Sequence, residues 1–188
     1  MNYERILNRN VAATPPSGIR KFFDIVAVMK DAISLGVGEP DFNTPWTYSD
    51  AGIYSLTQGH THYTSNWGIM ALREQIAAYN HSRFGVSYNP ANEIFITIGA
   101  SEGIDLAMRA LLEPGDEVIL PDPSYVSYSP SVAFCGGVPV PIRTLAEDEF
   151  KITPEALCAA ITPRTKALIL PFPNNPTDRK STRLNSSH

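Results

Sequence analysis

Three short segments of this chain carry side chains and backbone suited to chemistry. The first is Gly99-Ala100-Ser101-Glu102-Gly103, small residues running straight into a helical pattern. Such a turn lets the backbone approach an anion, and the unpaired N–H groups and dipole of a helix start favour a phosphate. The Ser101 hydroxyl either adds a further donor or simply caps the helix, and spacing alone leaves both readings open. The segment lacks the Gly-Lys-Ser/Thr of a Walker loop and is not a G-x-G-x-x-G fingerprint. The second segment, Pro121-Asp122-Pro123-Ser124-Tyr125, offers an aromatic ring on which a flat ligand could stack, or a half-buried packing group. In the third, Phe172-Pro173-Asn174-Asn175-Pro176-Thr177, prolines fix two neighbouring amides, which suits reading a ligand oxygen or merely making a turn.

Other groups carry less. His60 and His62 have no third or fourth ligand in view, so no metal is expected. Cys135 and Cys158 form neither a disulfide framework nor a metal set, and read as small packing residues of a protein in the reducing cytoplasm. Glu147-Asp148-Glu149 reads as a solvated loop.

These segments need elements to hold them. Apolar residues at Ile19, Phe22, Phe23, Val26 and Met29 predict an amphipathic helical arm over 17–30. Thr44-Pro45 predicts a helix start, running to about Gln58. A second helix is expected from Gly68 to Phe84, with Ile69, Leu72, Ile76 and Tyr79 inward and Gly85 closing it. From there the rhythm changes. Strands are expected at Glu93–Ile98, Glu117–Leu120, Val138–Ile142 and Ala167–Leu170, with helices at Ser101–Leu112, Ser124–Phe134 and Thr153–Ile161 between them. Alternation at this spacing means βαβ units and a largely parallel sheet, an α/β fold. Pro139 and Pro141 suggest that Val138–Ile142 is weakly paired or an edge. In open α/β sheets ligands bind beyond the carboxyl ends of the strands, where all three segments would fall.

Composition narrows the function. The 188 residues carry a net charge of −4 and no basic block, which argues against nucleic acid. No apolar run reaches the roughly 18 residues that cross a bilayer. The start Met1-Asn2-Tyr3-Glu4-Arg5 has no apolar core and does not read as a secretory leader.

Taken in order, six motifs resemble the class I/II aminotransferases, pyridoxal-phosphate enzymes of fold type I, over nearly all of residues 5–177. They are Gly36-Val37-Gly38-Glu39-Pro40-Asp41-Phe42, Tyr63-Thr64-Ser65-Asn66 followed by Leu72-Arg73, Gly99-Ala100-Ser101-Glu102, Pro114-Gly115-Asp116-Glu117-Val118, Pro121-Asp122-Pro123-Ser124-Tyr125, and Asn174-Asn175-Pro176-Thr177. The resemblance implies a mostly parallel sheet flanked by helices, here truncated, and amino-group transfer between an amino acid (aromatic or acidic) and a 2-oxo acid. It implies that Ala100, Ser101 and Glu102 hold the cofactor phosphate through backbone amides and the Ser hydroxyl. Tyr125 would stack on the pyridine ring, Asn175 would bond its phenolic oxygen, and Gly38 would lie at the substrate carboxylate. Tyr63 would reach the cofactor of a neighbouring subunit in a homodimer. Two residues depart from the family pattern: Trp67, where relatives commonly have a small residue, and Phe172, where many have Asn.

The resemblance divides the chain into an arm and small-domain segment (1–45), part of a large cofactor-binding domain (46–177), and a tail (178–188). Where the family motif continues with Gly, this chain reads Asp178-Arg179-Lys180-Ser181-Thr182-Arg183-Leu184-Asn185-Ser186-Ser187-His188. That string matches an in-frame translation of a short-read sequencing adapter at every codon, and is expected to be non-native. The family's Schiff-base lysine, its pyridinium-binding aspartate and its substrate-binding arginine are expected beyond the chain, leaving no catalytic residue within it and a fragment inactive by itself. Two other readings compete: an effector-binding domain of a transcription regulator, and a nucleotide-binding α/β domain. A regulator of that kind carries a helix-turn-helix domain upstream, and residues 1–16 are too short for one.

Overall fold

The computed structural model describes residues 5–16 and 42–178, with positions 18, 22, 25, 26, 28, 29 and 40. Most of the arm expected over 17–30, most of the Gly36–Phe42 motif and the tail from 179 therefore lie outside the described residues. The remainder forms two compact units, one drawn from 1–17 and 98–188 and the other from 18–97.

The first unit is built on a three-stranded parallel sheet. Its strands are β1 (Glu117–Asp122), β2 (Val138–Arg143) and β3 (Thr165–Leu168), in the order β2-β1-β3. Val118, Ile119 and Leu120 are a continuous apolar run because β1 is central and covered on both faces, where each is at most 2% exposed. β2 pairs with β1 from Glu117↔Val138 to Asp122↔Arg143, and its prolines sit on an edge of the described sheet.

Helices α4 (Gly99–Leu111), α5 (Tyr128–Phe134) and α6 (Pro154–Ala160) accompany the sheet. Met108 of α4 and Val132 of α5 pack with Val118, and Ile104, Leu112, Cys135, Ala167 and Ile169 surround them. α6 begins as the sequence predicts: the Thr153 hydroxyl accepts from the Ala156 N–H at 3.2 Å and Pro154 occupies the first turn. Short α1 (Arg9–Ala13) is tied to α5 by the Asn10 side-chain amide, which donates to the Ala133 carbonyl at 3.0 Å.

The second unit contains α2 (Trp46–Thr57) and α3 (Met70–Phe84). Gly85 closes α3 at φ 69°, the left-handed position that glycine fills without strain. Of the inward face predicted for α3, only Ile76 is half-buried. Ile69, Leu72 and Tyr79 are exposed, and Arg73 is the buried residue of the helix, its guanidinium donating to the carbonyls of Pro90 and Ala91 at 2.6 and 3.2 Å. Periodicity alone did not produce burial. Residues 93–98 also depart from expectation. They form no strand among the described residues, because a β-branched run becomes a strand only beside a pairing partner. Instead the Ile96 N–H donates to the Trp67 carbonyl at 3.1 Å, and Trp67 sets its ring edge-on against Phe95 at 6.0 Å.

Candidate functional site

Each predicted segment of the first unit follows from a chain reversal at an element end. α4 starts two residues earlier than its spacing suggested, with Ile98 as N-cap and no side chain capping the first turn. Ser101 is therefore not the cap. It sits inside the first turn, exposed beside exposed Ala100. Gly99 has φ 75°, and apart from its chain neighbours and its own helix's backbone nothing lies within 4 Å of the place a Cβ would occupy. The Glu102 carboxylate turns back to accept the Ile98 N–H, which keeps its charge on the helix's own backbone. An open helix start without a side-chain cap fits a phosphate group.

Beyond β1, the chain turns through Pro123 and Ser124 to Tyr125. Tyr125 is 39% exposed, and its ring meets Tyr128 edge-on at 5.7 Å and 74°. A cleft of about 610 Å³ opens beside it, walled by Asp122, Ser124, Ser129 and Pro141 and, from the N-terminal segment, Asn10 and Thr14. A mostly apolar cleft with a few convergent polar groups suits a small ligand.

Beyond β3 the two asparagines part company. Asn175 is exposed, whereas Asn174 is buried and its side-chain amide donates to the Pro123 carbonyl and to the Thr177 hydroxyl, both at 3.0 Å. The loops after β1 and β3 are thus joined, bringing Asn175 and Tyr125 into one assembly. The residue pattern alone leaves Asn174 and Asn175 undistinguished, and the resemblance assigns a role only to Asn175; neither foresees the buried placement of Asn174. Tyr63 is fully exposed in the other unit, and Gly38 lies outside the described residues.

At the opposite ends of the strands, Glu117 is buried at the start of β1. Its carboxylate accepts from the Thr162 hydroxyl at 2.6 Å and from Arg164 Nε at 2.9 Å. The Thr162 bond, followed by Arg164, holds its pKa below the ordinary carboxylate value. This clasp lies at the opposite end of β1 from the 121–125 segment and belongs to the scaffold. Among the described residues, no helix is long and apolar enough to cross a membrane.

The sequence profile of the family described as aminotransferase class I and II matches residues 30–182, a span containing all three segments. The chain belongs to the class I and II aminotransferases. It is 45% identical over 175 residues to an aspartate aminotransferase of Geobacillus stearothermophilus, covering 91% of this chain and 44% of that protein. Identity to aromatic-amino-acid aminotransferase 2 of Thermococcus litoralis is 41% over 162 residues, covering 86% of this chain and 42% of that one. Among solved structures, the aspartate aminotransferase of Thermus thermophilus with maleate superposes with a TM-score of 0.83 at 41% identity, covering 90% of this chain and 45% of that chain. The chain thus spans less than half the length of the aminotransferases it matches. These relatives favour neither the regulator domain nor the nucleotide-binding domain.

Proposed function

We propose that this chain is the N-terminal part of a pyridoxal-phosphate-dependent aminotransferase that moves an amino group between an amino acid and a 2-oxo acid. The observation that carries the reading is the family match over residues 30–182, whose span takes in residues 99–103, 121–125 and 172–177. In this reading the backbone amides of Ala100, Ser101 and Glu102, with the Ser101 hydroxyl, hold the phosphate at the start of α4. Tyr125 covers one face of the pyridine ring, and Asn175 donates to its phenolic oxygen. Gly38 lies at the substrate carboxylate, and Tyr63 reaches the phosphate site of a second subunit. When bound, the cofactor supplies an electron sink for the substrate's Cα. What this half of the site does is bind and orient. Aspartate-acting and aromatic-acting relatives match with similar identity, so both substrate types belong in the first assay.

The test is to read the source DNA past the Thr177 codon, express the complete parent protein, and measure glutamate formed from 2-oxoglutarate with aspartate and with phenylalanine. Transfer dependent on added pyridoxal phosphate is expected. A parent that neither binds the cofactor nor transfers an amino group with any amino acid overturns the reading.

A further inference from the structure

We propose that Asn174 is a positioning residue: it clamps the loop after β3 to the loop after β1, so that Tyr125 and Asn175 meet one ligand ring in a fixed relation. The inference rests on the cofactor reading above and concerns how this chain's own residues are prepared for that group.

Three observations carry it. First, Asn174 is 6% exposed while Asn175 beside it faces solvent, so two like residues have opposite placements. Second, the Asn174 amide is the bridge between loops 51 residues apart in sequence. β1 and β3 remain paired as far as the Ile169 N–H, which donates to the Ile119 carbonyl at 2.9 Å. Past that point the Asn174–Pro123 bond joins the two loops. Pro123 is two residues before Tyr125, and Asn174 is one before Asn175, so each end of the bridge adjoins a group assigned to the ring. The turn itself is closed by the Asp178 N–H, donating to the Asn174 carbonyl at 2.7 Å, and by the bond to Thr177.

Third, the chemistry requires an N–H donor. The Pro123 carbonyl only accepts, so the Asn174 NH₂ must face it, and this fixes the orientation of the group. Asn174 Oδ1 is then left buried without a partner among the described residues. A side chain that merely filled this space would do so at lower cost without polar atoms. The donor is what the position needs. A carboxylate there would set oxygen against oxygen. Groups that recognise a ligand gain most when a supporting hydrogen bond holds them before it arrives.

The experiment uses the complete parent protein loaded with pyridoxal phosphate, comparing wild type with Asn174→Ala, Asn174→Asp and Asn174→His. Cofactor affinity is measured by equilibrium dialysis, and the visible circular dichroism per bound cofactor is recorded at saturation. That dichroism reports how the ring is held, independently of turnover. Thr162→Val, which loosens the clasp at the other end of β1, serves as the control for general destabilisation. Loss of the clamp is expected to raise Kd about tenfold in the Ala and Asp variants and to alter the dichroism per bound cofactor. The His variant, whose ring N–H can face the same carbonyl, is expected to recover both in part. The proposal is overturned if Asn174→Ala keeps wild-type dichroism and affinity, or if its changes match those of Thr162→Val at equal loss of melting temperature. A wild-type parent that binds no pyridoxal phosphate overturns the cofactor reading itself, a separate outcome visible before any variant is made.

Discussion

The Thr162 hydroxyl donates to the buried Glu117 carboxylate at 2.6 Å, joining the turn before β3 to the first residue of β1. Arg164 adds its guanidinium to the same carboxylate, but its side chain is 71% exposed, so water and salt screen that part more. Both contacts hold the ionised form and lower the pKa from its unperturbed 4.5. A group with a depressed folded pKa contributes stability above its unfolded pKa and loses it as pH falls through the folded value. The melting temperature of the parent is therefore expected to fall on acidification below 4.5 in part through this group. Glu117→Gln should lower stability at neutral pH and flatten that acid limb. Thr162→Val should reduce the slope less. Parallel wild-type and Glu117→Gln profiles through the acid range would remove Glu117 from the account.

Gly68 approaches Ile96 so closely that a Cβ built on it would lie 2.3 Å from Ile96 Cγ1 and 2.6 Å from Ile96 Cβ. Its φ of 94° adds a second reason for glycine. Gly85, in the same unit, shares the positive φ (69°) but has open space around it. The pair separates backbone strain from packing. Gly85→Ala should cost about 1–2 kcal/mol, the strain alone. Gly68→Ala should cost about 1–3 kcal/mol more, because Ile96 or the 67–68 backbone must shift. Thermal unfolding of the two variants side by side checks this, and equal losses would show that the close approach is not constrained.

Exposed apolar side chains set the expected behaviour of the 188-residue chain by itself. On α2, Trp46, Tyr48, Tyr54 and Leu56 are each at least 63% exposed, and no residue of that helix is buried. In the other unit Val138, Leu168, Leu170 and Phe172 are exposed along and beyond the edge strands. Apolar surface together with unpaired strand edges favours association. The isolated chain should bind a hydrophobic dye strongly and elute as large species. Monomeric elution with one sharp unfolding transition would contradict this.

The βαβ half was legible because its signals are local or nearly so. A continuous apolar run marks β1 as central and Thr153-Pro154 marks the start of α6; in the other unit the equally local signal of Gly85 marks the end of α3. Where structure depends on a distant partner, the sequence misled. Residues 93–98 have strand composition but no ladder, and Ile69, Leu72 and Tyr79 have helical spacing but no cover. The site divides the same way. The open turn at Gly99 and the position of Tyr125 could be read from small residues and prolines. The separate placements of Asn174 and Asn175 depend on a carbonyl 51 residues away, which no local pattern encodes.

Ser101 gives the sharpest test of the phosphate reading, because its removal should not harm the helix. It lies in the first turn of α4, exposed, and it is not the cap. Alanine is the better helix former by about 0.5 kcal/mol, so Ser101→Ala should hold or slightly raise the melting temperature of the parent. Losing a hydroxyl donor to a charged phosphate should nevertheless raise the Kd for pyridoxal phosphate about tenfold. The backbone amides of Ala100, Ser101 and Glu102 survive the substitution, so binding should weaken rather than disappear. Inorganic phosphate should compete with the cofactor in wild type and less effectively in the variant. The ring contacts of Tyr125 and Asn175 are untouched, so the dichroism per bound cofactor should stay at the wild-type value, the opposite of Asn174→Ala. An unchanged Kd with intact folding would leave Ser101 as an ordinary first-turn serine and remove its hydroxyl from the phosphate site.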